Sequence, residues 1–130
     1  MATNKAIERA VSFPVAVPTT CLSGDLVVVG NMAAVLETSY NALTGKATAS
    51  FEGAYFLTVS ALSSESPAVN SAVKPGDKLY LNGGTLDATT NVTTGGTLDK
   101  NSAGTFVGFA LDAITAGQTA TIRVRLKVGA

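Results

Sequence analysis

Basic side chains at every second position near the end of the chain are the strongest candidates for chemistry. Arg123, Arg125 and Lys127 alternate with four apolar residues at positions 122, 124, 126 and 128. Because successive residues of a β-strand point to opposite faces, this pattern predicts one core face and one basic face. The basic face has two interpretations. Either Arg123 and Arg125 bind carboxylates of a neighbouring subunit or partner, or the charges guard an edge strand against aggregation.

Side chains suited to catalysis or metal binding are scarce in the rest of the sequence. The chain has no histidine and a single cysteine, Cys21. A Cys–His or Ser–His arrangement therefore cannot form, and the usual ligands of a zinc or copper site are missing. We expect Cys21 to be a small buried residue, and we expect no enzyme activity, no catalytic residue, no metal and no cofactor.

The only lysine that follows a glycine, in Gly45-Lys46, allows a test for a phosphate-binding loop. The Walker pattern requires another glycine five positions before Gly45 and a serine or threonine after Lys46. Tyr40 and Ala47 occupy those two positions. The pattern fails twice, so the sequence predicts no nucleotide site of this type.

Composition and charge exclude several classes of partner. The 130 residues include nine basic and nine acidic side chains, so the net charge is zero, without the basic surplus of a nucleic-acid-binding protein. The longest apolar run is broken by Gly30-Asn31 and is shorter than the ~20 residues of a membrane helix. The polar N-terminus does not match a secretory signal. We therefore expect no nucleic-acid, membrane or small-molecule partner, and synthesis in a cytosol-like compartment.

Short segments of β-type composition alternate with turn signals along the chain, without long helical periodicity. Gly24-Asp25 and Gly76-Asp77 each precede such a segment, and Asn82-Gly83-Gly84 predicts a hairpin turn between two more. Turn signals at this spacing predict an all-β protein with a small barrel- or sandwich-like single domain. Residues 104–111 have almost no polar side chains, so we expect a strand that is buried on both faces.

Two prolines set the N-terminal segment apart from the rest. Pro14 and Pro18 lack the N–H that a sheet ladder requires, so the segment is an edge strand or an extended arm. We predict an extended arm over residues 1–20 and a β-barrel-like domain over residues 21–130. Stretches rich in serine, threonine, glycine and asparagine predict long loops near 60–72 and 88–103.

Four segments, in this order and at this spacing, resemble a known family. They are Ser23–Gly30 (SGDLVVVG), Phe51–Phe56 (FEGAYF), Val73–Tyr80 (VKPGDKLY) and Gly104–Leu126, which contains GTFVGFAL and AGQTATIRVRL. They are similar to the small capsid decoration, or cement, proteins of tailed bacteriophages, which are often mislabelled as RecA/RadA-like recombinases. The likeness covers roughly residues 9–128, and the missing Walker pattern contradicts the recombinase label.

The resemblance implies a structural protein that is made in the host cytoplasm and lies on the outer capsid surface of the virion. It implies a homotrimer that binds the major capsid protein of an expanded phage head and stabilises contacts between its subunits. In that setting we expect Pro14, Pro18, Arg123, Arg125 and Lys127 to be interface residues.

The alternative function is a β-sandwich module that binds carbohydrate or a cell surface. Such modules need exposed aromatic rings on which sugars stack. The chain has no tryptophan, and four of its aromatic residues lie in predicted core strands: Tyr55, Phe56, Phe106 and Phe109. The sequence therefore favours the structural role over this alternative.

Overall fold

The computed structural model describes residues 12–64 and 67–126. Within these ranges the chain forms thirteen β-strands and no helix, which confirms the predicted all-β fold class. The strands are β1 (Ser12–Ala16), β2 (Leu26–Val29), β3 (Met32–Leu36), β4 (Lys46–Ser50), β5 (Gly53–Ser60), β6 (Leu62–Ser63), β7 (Val69–Asn70), β8 (Lys78–Asn82), β9 (Thr85–Asp87), β10 (Val92–Thr94), β11 (Thr97–Asp99), β12 (Thr105–Ala110) and β13 (Thr119–Leu126).

Antiparallel pairing arranges most of these strands into two main sheets. The six-stranded sheet has the order β1-β4-β3-β2-β10-β9, and the five-stranded sheet has the order β11-β8-β12-β13-β5. Strands β6 and β7 form a separate pair. Neither main sheet closes into a barrel, and residues of both contribute to one shared core. The edge strands β11 and β5 of the five-stranded sheet nevertheless lie beside each other, so this sheet curls without closing.

Two apolar cores lie on opposite faces of the six-stranded sheet. The first core lies between the main sheets, and contains Val28 and Val35 of the six-stranded sheet together with Val124 of β13. The second core lies on the far face and contains Val27 and Ala34. Since alternate residues of β2 and β3 belong to different cores, the centre of the six-stranded sheet is buried on both faces.

A repeated tight turn leads into β2 and β8. Its third residue is Gly24 in one copy and Gly76 in the other, both with a φ of 92°, which type II turns require at this position and which glycine adopts without strain. The aspartate that follows the glycine closes the turn with its carboxylate. Asp25 accepts the N–H of Leu22 at 2.9 Å, and Asp77 accepts the N–H of Lys74 at 2.8 Å. The two Gly-Asp pairs of the sequence therefore build the same turn.

The hairpin turn predicted at Asn82-Gly83-Gly84 is wrong. The segment from β8 to β9 runs beside the segment from β10 to β11, in one antiparallel register that includes Asn82 opposite Thr97 and Thr85 opposite Thr94. Together they form one long hairpin with its tip at residues 88–91. Its base, β8 with β11, belongs to the five-stranded sheet, and its outer half, β9 with β10, belongs to the six-stranded sheet.

Glycine is required where this long hairpin passes from one sheet to the other. Gly84 and Gly96 both have a φ of 87°. A Cβ on Gly84 would lie 2.8 Å from the carbonyl oxygen of Thr94, and a Cβ on Gly96 would lie 2.7 Å from that of Asn82. The two backbones are therefore in contact at the corner, where a side chain would force them apart.

The predicted loop near 88–103 is also wrong, because it contains β10 and β11. Asp99 at the end of β11 is fully buried, with 0% exposure. Its carboxylate accepts the Nδ2–H of Asn82 at 2.7 Å, the N–H of Asn101 at 2.9 Å and the N–H of Ser64 at 3.2 Å. Such charge-assisted hydrogen bonds fix this segment against the sheet. The predicted loop near 60–72 likewise contains the short β6–β7 pair.

The predicted arm contributes β1 to one edge of the six-stranded sheet. Pro14 lies in register with Thr48 of β4, and β1 has no second neighbour in the part of the chain that the structure describes. Phe13 stacks on Phe51 with ring centroids 4.8 Å apart, and Val17 is buried in the second core. Since residues 1–11 lie outside the described ranges, the division into an arm (1–20) and a domain (21–130) stays a prediction.

Candidate interaction surface

The five-stranded sheet has one face against the first core and an opposite face in contact with solvent, which we call the outer face. Strand β13 shows the predicted alternation: its residues 122, 124 and 126 are buried, whereas Arg123 and Arg125 are exposed. Lys127 lies outside the described residues. Because β13 lies between β12 and β5 and is not an edge strand, guarding an edge no longer explains its charges.

A carboxylate of the same chain holds Arg123. The Arg123 Nη2–H donates to Asp112 Oδ1 at 2.8 Å, while its Nε–H and its backbone N–H each donate to Asp112 Oδ2 at 3.0 Å. These hydrogen bonds, with a smaller effect of the guanidinium charge, lower the pKa of Asp112 to about 2. The Arg123 fork, which we predicted to bind a neighbouring subunit, is thus occupied within the chain.

Two other cations of the outer face have no ion pair. Arg125 and Lys78 are exposed, and neither forms a salt bridge with a carboxylate of residues 12–64 or 67–126. Phe109 of β12 lies in register with Lys78 on one side and with Arg125 on the other. A row of cation, aromatic ring and cation therefore crosses the three central strands of the sheet.

A β-bulge in β12 places a second phenylalanine beside this row. Phe106 pairs with Tyr80 and Gly108 pairs with the preceding residue of β8, so β12 has one extra residue at this point. Without the extra residue, Phe106 and Phe109 would face opposite sides of the sheet. Their rings instead meet edge to face at 5.5 Å, and Phe106 meets Tyr80 in the same way at 5.7 Å. We call Tyr80, Phe106 and Phe109 the aromatic trio.

Gly108 permits the bulge because β12 and β13 approach each other closely there. A Cβ on Gly108 would collide with the carbonyl oxygen of Arg125. The prediction that residues 104–111 are buried on both faces is wrong, since Phe106 and Phe109 are only partly buried. In the sequence, Gly108 within Phe-Val-Gly-Phe is the one residue that indicates a bulge.

Phe56 is the most exposed aromatic residue of the described chain, with 74% of its surface accessible to solvent. It lies on β5 in register with Arg123. Strand β13 separates it from the aromatic trio, which lies on β8 and β12. The prediction that Phe56 is a core residue is therefore wrong, whereas its neighbour Tyr55 packs against the first core.

The predicted proline sites lie in the region of the six-stranded sheet. Pro14 is exposed and lines a cavity of about 520 Å³ together with Thr38 and Lys46. Pro18 follows β1, and its carbonyl oxygen accepts the N–H of Cys21 at 3.2 Å. Arg125 lines a different cavity, of about 340 Å³. The structure therefore does not unite the predicted interface residues in one site.

The single cysteine, Cys21, is part of the second core. Cys21 is buried and free, as predicted, and burial, followed by the charges of Asp25 and Asp87, raises the pKa of its thiol. A protonated thiol is a poor nucleophile and a poor metal ligand. Residues 12–64 and 67–126 contain no cluster of three side chains that could hold a metal ion.

No helix in the described ranges is long and apolar enough to cross a membrane.

Comparison with known proteins gives the family of the chain. Residues 6–126 match the family described as phage cement protein. This range includes all thirteen strands, and with them both main sheets and the outer face. No curated protein and no solved structure matches the chain. The chain therefore belongs to the phage cement protein family, and its role is a structural one at the phage capsid.

Proposed function

We propose that this chain binds the outer surface of expanded phage heads, where it contacts the major capsid protein and holds neighbouring subunits together. The family match over residues 6–126 carries this proposal. The outer face supports it, since two unpaired cations and partly exposed aromatic rings suit a contact with another protein. The chain would be made in the host cytoplasm and would join the head during virion assembly.

A protein of this kind stabilises the shell by mass action. If it binds only the expanded form, each occupied site stabilises that form by RT ln(1 + [L]/Kd). The contribution is modest at one site, but it recurs at every equivalent site of the capsid. No catalysis is needed for this function, which agrees with the structural role of the family.

We further propose that the chain acts as a homotrimer. A trimer presents each contact patch three times, so that weak single contacts gain from a high effective concentration. Strand β5 is an eight-residue strand without charged residues or proline, and it has no second hydrogen-bonded neighbour among the described strands. Strand β11 lies beside it, so only the part of this edge that β11 leaves uncovered could pair with a second copy.

The proposal is tested by native mass together with co-sedimentation on purified heads assembled from the capsid protein of the same phage. We expect a mass of about 39 kDa, three times the 13.1 kDa of one chain, and saturable binding to expanded heads that is absent from unexpanded heads. A mass of one chain would contradict the trimer. A failure to bind expanded heads would contradict the proposed function itself.

The predicted arm is tested by deleting residues 2–10. A longer deletion would remove β1, in which Phe13 stacks on the buried Phe51, and would unfold the second core. If residues 2–10 reach the capsid protein, the deletion lowers occupancy on expanded heads by tenfold or more while the thermal unfolding midpoint stays within about 2 °C. Unchanged occupancy would rule out residues 2–10 as a principal contact.

A further inference from the structure

We infer that the outer face of the five-stranded sheet is the capsid-binding surface, and that it takes an acidic segment of the major capsid protein in which carboxylates flank an apolar side chain. This inference rests on the proposed function and deepens it, since it names the surface and the chemistry of the partner. It also chooses between the two contact regions that the sequence predicts, the basic strand β13 and the proline-bearing edge strand β1.

On the described strands of this sheet, the exposed charged side chains without an ion pair are both cations. Arg123 is neutralised by the forked contact with Asp112, and Asp99 of β11 is fully buried with its oxygens hydrogen-bonded. Arg125 and Lys78 are exposed without an ion pair among the described residues. The chain as a whole has no net charge, so this excess of positive charge is local. A carboxylate-bearing segment is its electrostatic complement.

One acidic side chain lies near this surface and offsets part of the charge of Arg125 without forming an ion pair with it. Glu52 lines the same shallow cavity of about 340 Å³ as Arg125, yet the two form no salt bridge. Among the described residues no carboxylate pairs with the Arg125 guanidinium, so this planar group can bind a carboxylate of a partner in a fork.

The spacing of the two cations sets the requirement for an apolar residue between the carboxylates. Lys78 and Arg125 are in register with the same residue, Phe109, on opposite sides. A partner that reaches both cations must therefore pass over the Phe109 ring. That ring is held in place by its edge-to-face contact with Phe106 at 5.5 Å, so little side-chain entropy is lost when an apolar group packs on it.

Within the part of the chain that the structure describes, the six-stranded sheet offers no comparable surface. Its central strands are buried on both faces, so only its edges and end loops are free. The cavity beside Pro14 contains one cation, Lys46, and no aromatic residue. Lys46 is therefore a matched control: it is exposed, it lies in the other predicted contact region, and it makes no salt bridge with a described carboxylate.

The experiment measures co-sedimentation with expanded heads for the parent chain and for four variants: Lys78→Glu, Arg125→Glu, both together, and the control Lys46→Glu. Each single variant makes the same change of charge at an exposed position. We expect each outer-face variant to raise the apparent Kd about tenfold, and the double variant to raise it further. The control should bind as the parent chain does.

Thermal unfolding and native mass are measured for every variant, so that a binding loss can be assigned to the contact. We expect the thermal unfolding midpoint to stay unchanged, because Lys46, Lys78 and Arg125 are exposed. We also expect the oligomeric state to stay unchanged. The affinity of the parent chain should also fall with rising salt, and that of the double variant should depend on salt less strongly.

Three outcomes would overturn the inference while leaving the proposed function intact. They are binding of the double variant with parental affinity, an equal or larger loss in Lys46→Glu, and dissociation of the oligomer in the double variant. The last outcome would assign the outer face to a second copy of the chain. If the parent chain does not bind expanded heads at all, the proposed function fails first.

Discussion

The six-stranded sheet is buried on both faces at its centre, whereas the five-stranded sheet buries one face and leaves the other in contact with solvent. Strands β2 and β3 accordingly consist almost wholly of Val, Leu and Ala. Strand β13 alternates apolar residues with Thr and Arg. At its centre the six-stranded sheet can therefore only stabilise the fold. The five-stranded sheet stabilises the fold with one face and presents a contact surface with the other.

Two phenylalanines close together in sequence show this difference at the level of single side chains. Phe51 is 2% exposed and belongs to the second core, whereas Phe56 is 74% exposed on the five-stranded sheet. We expect Phe51→Ala to destabilise the fold by about 3–5 kcal/mol, because it leaves a cavity and removes the partner of Phe13. We expect Phe56→Ala to change stability by less than about 0.5 kcal/mol.

Urea unfolding at constant m-value measures both effects. The difference between the two sheets would be disproved if both variants were destabilised equally, or if Phe56→Ala had the larger effect.

The glycine corner that joins the two sheets gives the next largest effect. Gly96 combines a φ of 87° with a Cβ position only 2.7 Å from a backbone oxygen, whereas Gly95 has a φ of 72° and an open Cβ position. We expect Gly95→Ala to cost about 1 kcal/mol, for the left-handed backbone alone. Gly96→Ala should cost about 2–3 kcal/mol, since the neighbouring strand must also move.

The same urea titration compares the two alanine variants. Equal destabilisation would mean that the two backbones are not in contact at the corner, and that the long hairpin is less sharply bent than described.

The smallest effect concerns the ion pair on the outer face. The pKa of Asp112 lies at about 2, below the value of about 3.9 in an unfolded chain. The ion pair with Arg123 therefore stabilises the fold above about pH 4, and this stabilisation is lost as the pH falls through about 2. Carboxyl NMR titration should give a midpoint near 2 in the parent chain and a clearly higher midpoint in Arg123→Gln, which loses the guanidinium donors but keeps the backbone N–H donor.

The matched variant Arg125→Gln should leave the titration of Asp112 unchanged, because Arg125 does not contact that carboxylate. A parental midpoint near 3.9 would show that the fork to Asp112 does not form in solution. Arg123 would then be available to a partner.

Local patterns predicted the parts of this fold that depend on local chemistry. The alternation in β13 and the two Gly-Asp turns depend on neighbouring residues, and the structure confirms both. The corner at Gly84 and Gly96 was predicted wrongly, because an Asn-Gly turn and an Asn-Gly bend have the same local sequence. They differ only in which distant segment lies opposite.

The outer face was predicted in part, for the same reason. Its basic residues on β13 follow from alternation along one strand. The aromatic trio depends on a bulge and on the pairing of β8 with β12, and Arg123 is neutralised by Asp112, eleven residues earlier. Alternation along one strand predicts neither the aromatic trio nor the contact between Arg123 and Asp112.

We expect the five-stranded sheet to meet the capsid while the six-stranded sheet stabilises the fold. A cryo-EM reconstruction of expanded heads saturated with the chain distinguishes the two sheets. We expect density on the outer capsid surface with Lys78, Phe109 and Arg125 against an acidic segment of the major capsid protein. A reconstruction in which this face points to solvent, and the edge at β1 meets the shell, would contradict it.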